Sequence, residues 1–198
     1  MSIPFQDSET AKNLLRAFAG ESQARNRYDF AANLCQKQEL QAMAFIFQAT
    51  AKQEQAHAKV FWDHLQALNG QNLPIYGAYP IEGTNRVLEL LRAAQHNEHE
   101  EHGSVYPSFA AIATQEGFPE AAASFRQIAA IEQLHGERFG LLADELFVSS
   151  VTCQWMCLNC GHTQNSLEAP KQCPVCNHGQ GWFIRLELAP WSPVAKQT

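Results

Sequence analysis

IEQLHGERF, Ile131 to Phe139, has the apolar residues of a helix face, yet it sets Glu132 and His135 three residues apart on that same face. QEQAHAKVF, Gln53 to Phe61, repeats the arrangement: Glu54 and His57 are three apart, and Phe61 follows as Phe139 does in the other segment. A buried charge is costly unless something compensates it, so two matching segments require a shared cause.

Working outward, residues 8–148 are rich in Ala, Leu, Gln and Glu and poor in Gly and Pro, which is the composition of helices. Leu68 to Gly83, dense in Gly, Asn and Pro, reads as a connection, and EGFPE, Glu116 to Glu120, as a tight one. The spacing predicts four long helices, roughly 8–37, 39–68, 84–115 and 119–148. Each has an acid in the middle of its inward stripe: Glu21, Glu54, the pair Glu98 and Glu101, and Glu132. The third stripe is expected to run Val87, Leu91, Ala94, Glu98, Glu101, Val105, Phe109 and Ile112, with a kink at Pro107. The two halves match as an internal repeat of helix pairs. After Ser150 the helical period stops and Cys, Pro, Gly and Trp dominate. Two domains are expected, a four-helix bundle over 1–148 and a small cysteine domain over 151–198.

The 198 residues, 45% of them hydrophobic, suffice for a real core. A net charge of −6 with scattered Lys and Arg gives no footprint for nucleic acid. No basic segment leads into an apolar one and no apolar run is long enough to span a bilayer, so a cytoplasmic protein without membrane contact is expected.

Five buried glutamates are untenable without cations, and Arg25 is the only basic side chain near these stripes. Metal ions meet the requirement. One Glu from each of two helices, with Glu-x-x-His from each of the other two, is the ligand pattern of di-iron bundles. Tyr28 and Tyr106 lie where their hydroxyls reach ligand carboxylates, although packed aromatic rings explain them equally well. His96, His99 and His102 fall at or off the stripe edge and read as solvated, and His64 as structural. Cys35 reads as a small buried hydrophobe.

Cys157-x-x-Cys160-Gly and Cys173-Pro-Val-Cys176, with 12 residues between the pairs, form two knuckles of a tetrahedral thiolate cage. Such a cage takes either iron or zinc. Cys153 fits neither pair and reads as a spare thiol.

AFAGESQARNRYDFAA, QEQAHA, NEHEEHGSVYPSFA, IEQLHGERF, WMCLNCGH and CPVC, in that order, resemble the motifs of the rubrerythrin family over almost the whole chain. The resemblance implies a ferritin-like bundle with a non-haem di-iron centre, followed by a rubredoxin-like domain with one iron on four cysteines. By position, the di-iron residues are Glu21, Glu54, His57, Glu98, Glu101, Glu132 and His135, with Glu54 and Glu132 bridging. It implies that one iron shifts between Glu101 and His57 as the redox state changes. It implies a peroxidase that reduces hydrogen peroxide to water in oxidative-stress defence. Electrons are then expected from an NAD(P)H-linked reductase, or a rubredoxin or ferredoxin, by way of the cysteine-bound iron, in a homodimer. His162 and the pair Asn177-His178 depart from the family pattern and bear on the iron's potential more than on its binding. Two other readings compete: a ferroxidase that feeds iron storage, and a zinc-containing, non-enzymatic redox sensor. The four-cysteine tail argues against storage, which has no need of an electron carrier.

Overall fold

Ser8 starts the bundle: its hydroxyl accepts from the Ala11 N–H at 3.0 Å and caps α1, Glu9–Lys37. The computed structural model describes residues 3–192. Positions 1, 2 and 193–198, the outer ends of the two expected domains, lie outside the described residues. After a turn with Glu39 in the left-handed region (φ 60°), α2 runs Gln41–His64 and ends in a 3-10 turn, Leu65–Leu68. α3, Val87–Glu100, continues through a π turn, Glu101–Val105, into α4, Tyr106–Glu116, and α5 spans Pro119–Asp144. α1 packs chiefly on α2, and α3 and α4 on α5.

The pair α1 and α2 is antiparallel, so the chain must run the length of the bundle to start α3. Residues 71–86 make that run without regular secondary structure. Arg16 donates to the Tyr76 carbonyl (2.9 Å), Arg27 pairs with Glu82 (2.7 Å) and Gln38 donates to the Asn85 carbonyl (2.9 Å). The segment is thus a strap tied down along α1.

Just before Pro107, where a kink was expected, the helix widens by one residue. The Tyr106 N–H donates to the carbonyl of Glu101, five residues back. This corrects the expected third stripe: beyond the π turn the buried residues are Tyr106, Ala110 and Ala113, each one later than Val105, Phe109 and Ile112. It also restores the repeat, because Tyr28 follows Glu21 by seven positions and Tyr106 follows Glu98 by eight. The inserted residue brings the two tyrosines to equivalent places.

The apolar core is divided. Tyr28, Phe47 and Phe139 pack ring to ring at 5.1–5.8 Å on one side. Phe61, Tyr106 and Phe125 do so at 5.1–6.0 Å on the other. Burial of one such ring contributes about 1.5–3 kcal/mol. The acids and histidines lie between these clusters.

The last helix ends at Asp144, short of the expected 148, and β1, Val148–Cys157, begins at once. With β2, Thr163–Glu168, and β3, Phe183–Arg185, it forms an antiparallel sheet of order β2-β1-β3 around Trp155, Cys157, Cys173 and Phe183. Buried Arg185 pairs with Glu145 and with Glu187 (2.7 Å), fastening β3 to the end of α5. Gly181 lies against the α1–α2 turn so closely that a Cβ there would come within 2.0 Å of the Glu39 carbonyl oxygen.

Glu116 at the end of α4 caps the start of α1. It accepts from the N–H groups of Glu9 (3.0 Å) and Thr10 (2.8 Å) and from the Thr10 hydroxyl (2.5 Å). Burial opposes ionisation, yet these donors hold the Glu116 carboxyl below the usual carboxylate range. A group depressed in the folded state adds stability that is present above its unfolded pKa of 4.5 and lost as pH falls through the folded value. Glu116→Ala is therefore expected to cost about 1–2 kcal/mol in urea unfolding at pH 7, with the gap from the parent closing toward pH 3.

Candidate functional site

Helical spacing delivers the cage. Glu21 from α1, Glu54 and His57 from α2, Glu98 from α3, and Glu132 and His135 from α5 are all buried and meet at the middle of the bundle. Their ligand atoms form two groups of four. Glu21, Glu54, His57 and Glu132 make one, and Glu54, Glu98, Glu132 and His135 the other, each within 4.8 Å. Glu54 and Glu132 belong to both.

Both imidazoles turn Nδ1 toward the shared acids. His57 Nδ1 lies 2.9 Å from Glu132 and 3.1 Å from Glu54; His135 Nδ1 lies 2.8 Å from Glu132 and 3.1 Å from Glu54. Even so, Glu21 Oε2, Glu54 Oε1, Glu98 Oε2, both Glu132 oxygens and His135 Nδ1 have no hydrogen-bond partner among the described residues. Buried polar atoms are rarely left so, and lone pairs aimed at common centres are what metal ions bind. The mixed carboxylate and imidazole donors suit iron. By this test the residues fit a pair of iron ions.

Electrostatics describes the same demand. Burial and the Glu132 and Glu54 carboxylates raise Glu21 well above its usual range. Burial, joined by Glu54, pushes Glu98 up to about 8. Glu54 moves the other way: burial would raise it, but His135 and His57 hold it below the carboxylate range. Burial disfavours a charged His57, yet Glu132 and Glu54 raise it to about 9. Protons and metal cations are alternative answers to this concentration of negative charge.

Tyr28 donates its hydroxyl proton to Glu98 Oε1, and Tyr106 donates to Glu21 Oε1 at 2.5 Å. Each tyrosine comes from one helix pair and steadies an acid of the other. Burial raises both phenols well above their ordinary value, with Glu98 adding to it at Tyr28 and Glu101 at Tyr106, so both remain donors. Gln53 was not singled out from the sequence, although it stands inside the QEQAH motif. Its Oε1 accepts from His135 Nε2 at 3.0 Å, which leaves the Nδ1 lone pair facing the acids.

Glu101 stands apart. It belongs to neither four-donor group, is half-buried on the π turn, and is raised well above its usual range by burial and by Glu98 and Glu132. His96 faces solvent beside Glu100 (3.7 Å). His102 Nδ1 lies 2.8 Å from the Ala129 carbonyl and His64 Nε2 lies 2.9 Å from the Ser124 hydroxyl. His99 is exposed, its ring edge against Gly136. Arg25 is exposed and reaches no acid of the cage.

Cys157, Cys160, Cys173 and Cys176 converge with all four sulfurs within 4.8 Å. Two knuckles related in form hold them. Gly161 N–H donates to the Cys157 carbonyl and Asn177 N–H to the Cys173 carbonyl, both at 2.9 Å, and each donor residue is left-handed (φ 76° and 61°). Asn tolerates that backbone, so the departure at Asn177 leaves the knuckle intact. The His178 N–H beside its sulfur draws the Cys176 thiol down to about 5, whereas burial raises Cys157 and, against the His162 N–H, the neighbouring thiols raise Cys160 to about 12. Cys153 remains outside the group, 3.8 Å from the Ser166 carbonyl.

Comparison with known proteins agrees with both parts. The family model for rubrerythrin matches residues 12–143, and that described as the rubrerythrin rubredoxin-like domain matches 155–184. Rubrerythrin of Porphyromonas gingivalis is 43% identical over 188 residues, covering 92% of each chain. Rubrerythrin of Clostridium perfringens is 41% identical over 182 residues, 89% of this chain and 93% of that one. Among solved structures, fully reduced nigerythrin superposes with a TM-score of 0.62 at 25% identity over 90% of each chain.

The Gln53 contact makes a prediction. Gln53→Ala should weaken Co(II) binding to the bundle by about 10–100-fold in titrations of metal-free protein, while Gln53→Glu, which keeps an acceptor, should lose far less.

Proposed function

Because the chain belongs to the rubrerythrin family, we propose that it is a non-haem di-iron peroxidase that reduces hydrogen peroxide to water in defence against oxidative stress. Membership by itself makes the chain an oxidoreductase of the di-iron and rubredoxin-like type. The observation that carries the finer reading is the pair of four-donor groups sharing Glu54 and Glu132. In this reading Glu21, Glu54, His57, Glu98, Glu101, Glu132 and His135 serve two iron ions, and Cys157, Cys160, Cys173 and Cys176 serve a third. When bound, iron supplies the redox chemistry: the bundle pair provides two electrons that, with two protons, turn one peroxide into two waters, and the thiolate-held ion carries single electrons from an external NAD(P)H-linked reductase, rubredoxin or ferredoxin.

The protein's part is to hold this charge dry and in place. The two aromatic clusters keep water from the cage, which strengthens every interaction inside it. Tyr28 and Tyr106 fix Glu98 and Glu21 through hydroxyls that stay protonated. His135, tied by Gln53, is suited to constant ligation. No described partner holds the outer nitrogen of His57, and Glu101 lies outside both groups, so these two are the side chains free to exchange roles.

The reading is tested by two variants of the iron-loaded protein. Glu98→Ala should abolish reductase-driven peroxide turnover, and undiminished turnover would sink the assignment. Cys160→Ser should stop reductase-driven turnover as well, yet leave chemically pre-reduced protein reacting with one equivalent of peroxide at the parent rate.

A further inference from the structure

A cage sealed by aromatic rings needs a way in. A cavity of about 250 Å³ lies between α1, the π turn and the strap, lined among others by Gly20, Tyr79, Glu101, Val105, Tyr106 and Phe109. Two of its wall residues border the cage. Tyr106 holds Glu21 by its hydroxyl, and Glu101 stands three residues after the cage acid Glu98, at the start of the π turn. Three other surface pockets are lined by neither Glu101 nor either of the cage's tyrosines.

The cavity exists because small residues keep it open. Ala17 and Gly20 occupy the α1 stripe just before Glu21, and a Cβ at Gly20 would lie 3.7 Å from Cε1 of the Tyr79 ring. A longer side chain there would project into the space. The roof is the strap from Gly77 to Pro80, held locally by two exposed hydrogen bonds, Tyr79 hydroxyl to the Arg16 carbonyl (3.1 Å) and Arg16 to the Tyr76 carbonyl (2.9 Å). Water competes readily for such bonds, so the roof opens at little cost.

We propose that this cavity is the access route by which metal ions and small peroxides reach the cage, and that Tyr79 acts as its size filter. Its charged lining is Glu100, Glu101 and Arg16, the last paired with Glu9, and the space beside Gly20 passes hydrogen peroxide more readily than a bulky aryl hydroperoxide. The substrate part rests on the peroxidase reading, whereas the route does not.

The experiment therefore has two arms. In the first, Co(II) is mixed with metal-free protein and its uptake followed by visible absorption: Gly20→Leu should slow uptake at least tenfold with the final amount bound unchanged. In the second, iron-loaded Tyr79→Ala should raise the rate with cumene hydroperoxide relative to hydrogen peroxide by at least fivefold. Parent-like Co(II) uptake in Gly20→Leu overturns the route, and an unchanged peroxide ratio in Tyr79→Ala overturns the filter. If Gly20→Leu does not fold or fill, Co(II) uptake by Tyr79→Ala decides the route, faster uptake supporting it and an unchanged rate overturning it. If the parent protein reduces no peroxide, the functional reading fails and the Co(II) arm still judges the route.

Discussion

Four glutamates and two histidines share the middle of a bundle flanked at each side by packed aromatic rings, with a fifth acid, Glu101, half-buried at their edge. Each carboxylate buried alone would cost several kcal/mol, and the nearby arginines do not reach them. Arg27 is engaged by Glu82 in a half-buried pair between α1 and the strap, and Arg25 is exposed. The bundle is stable only if something positive sits among the acids. The rest of the architecture keeps that arrangement in register: Tyr28 and Tyr106 cross between helix pairs, Gln53 orients His135, and the π turn places Tyr106 opposite Tyr28.

The same constraint explains the division of labour among ligand-type residues. Glu54, Glu132 and His135, like Glu21, His57 and Glu98, are buried on continuous α-helix. Glu101 rides on the π turn, where the hydrogen-bond register of the helix widens, at the wall of the cavity. π turns interrupt helices where function requires a side chain to be re-aimed. The small domain is tied to the bundle, with Gly181 against Glu39 and Arg185 paired to Glu145.

Most of the bundle and of the site is legible in the sequence because helical periodicity is a strong signal and buried acids violate it conspicuously. Glu21, Glu54, Glu98 and Glu132 are found this way, and the paired Cys-x-x-Cys spacing marks the second site as directly. The π turn is not legible, since one extra residue changes no composition. The stripe beyond Glu101 was therefore expected one position early, at Val105, Phe109 and Ile112. Gln53 escaped for another reason: as a neutral amide beside a glutamate, it signals nothing until His135 Nε2 is seen 3.0 Å away. Tyr79 escaped because its role depends on where the strap crosses α1, which no local pattern encodes.

The most direct test of the claim that metal ions justify the charged core is the iron and zinc content of protein purified without added metal, read together with its visible spectrum. The account predicts two irons in the bundle and one at the four cysteines, the last giving thiolate-to-iron absorption. A folded bundle that carries no metal, and takes up none when supplied with Fe(II), would contradict it.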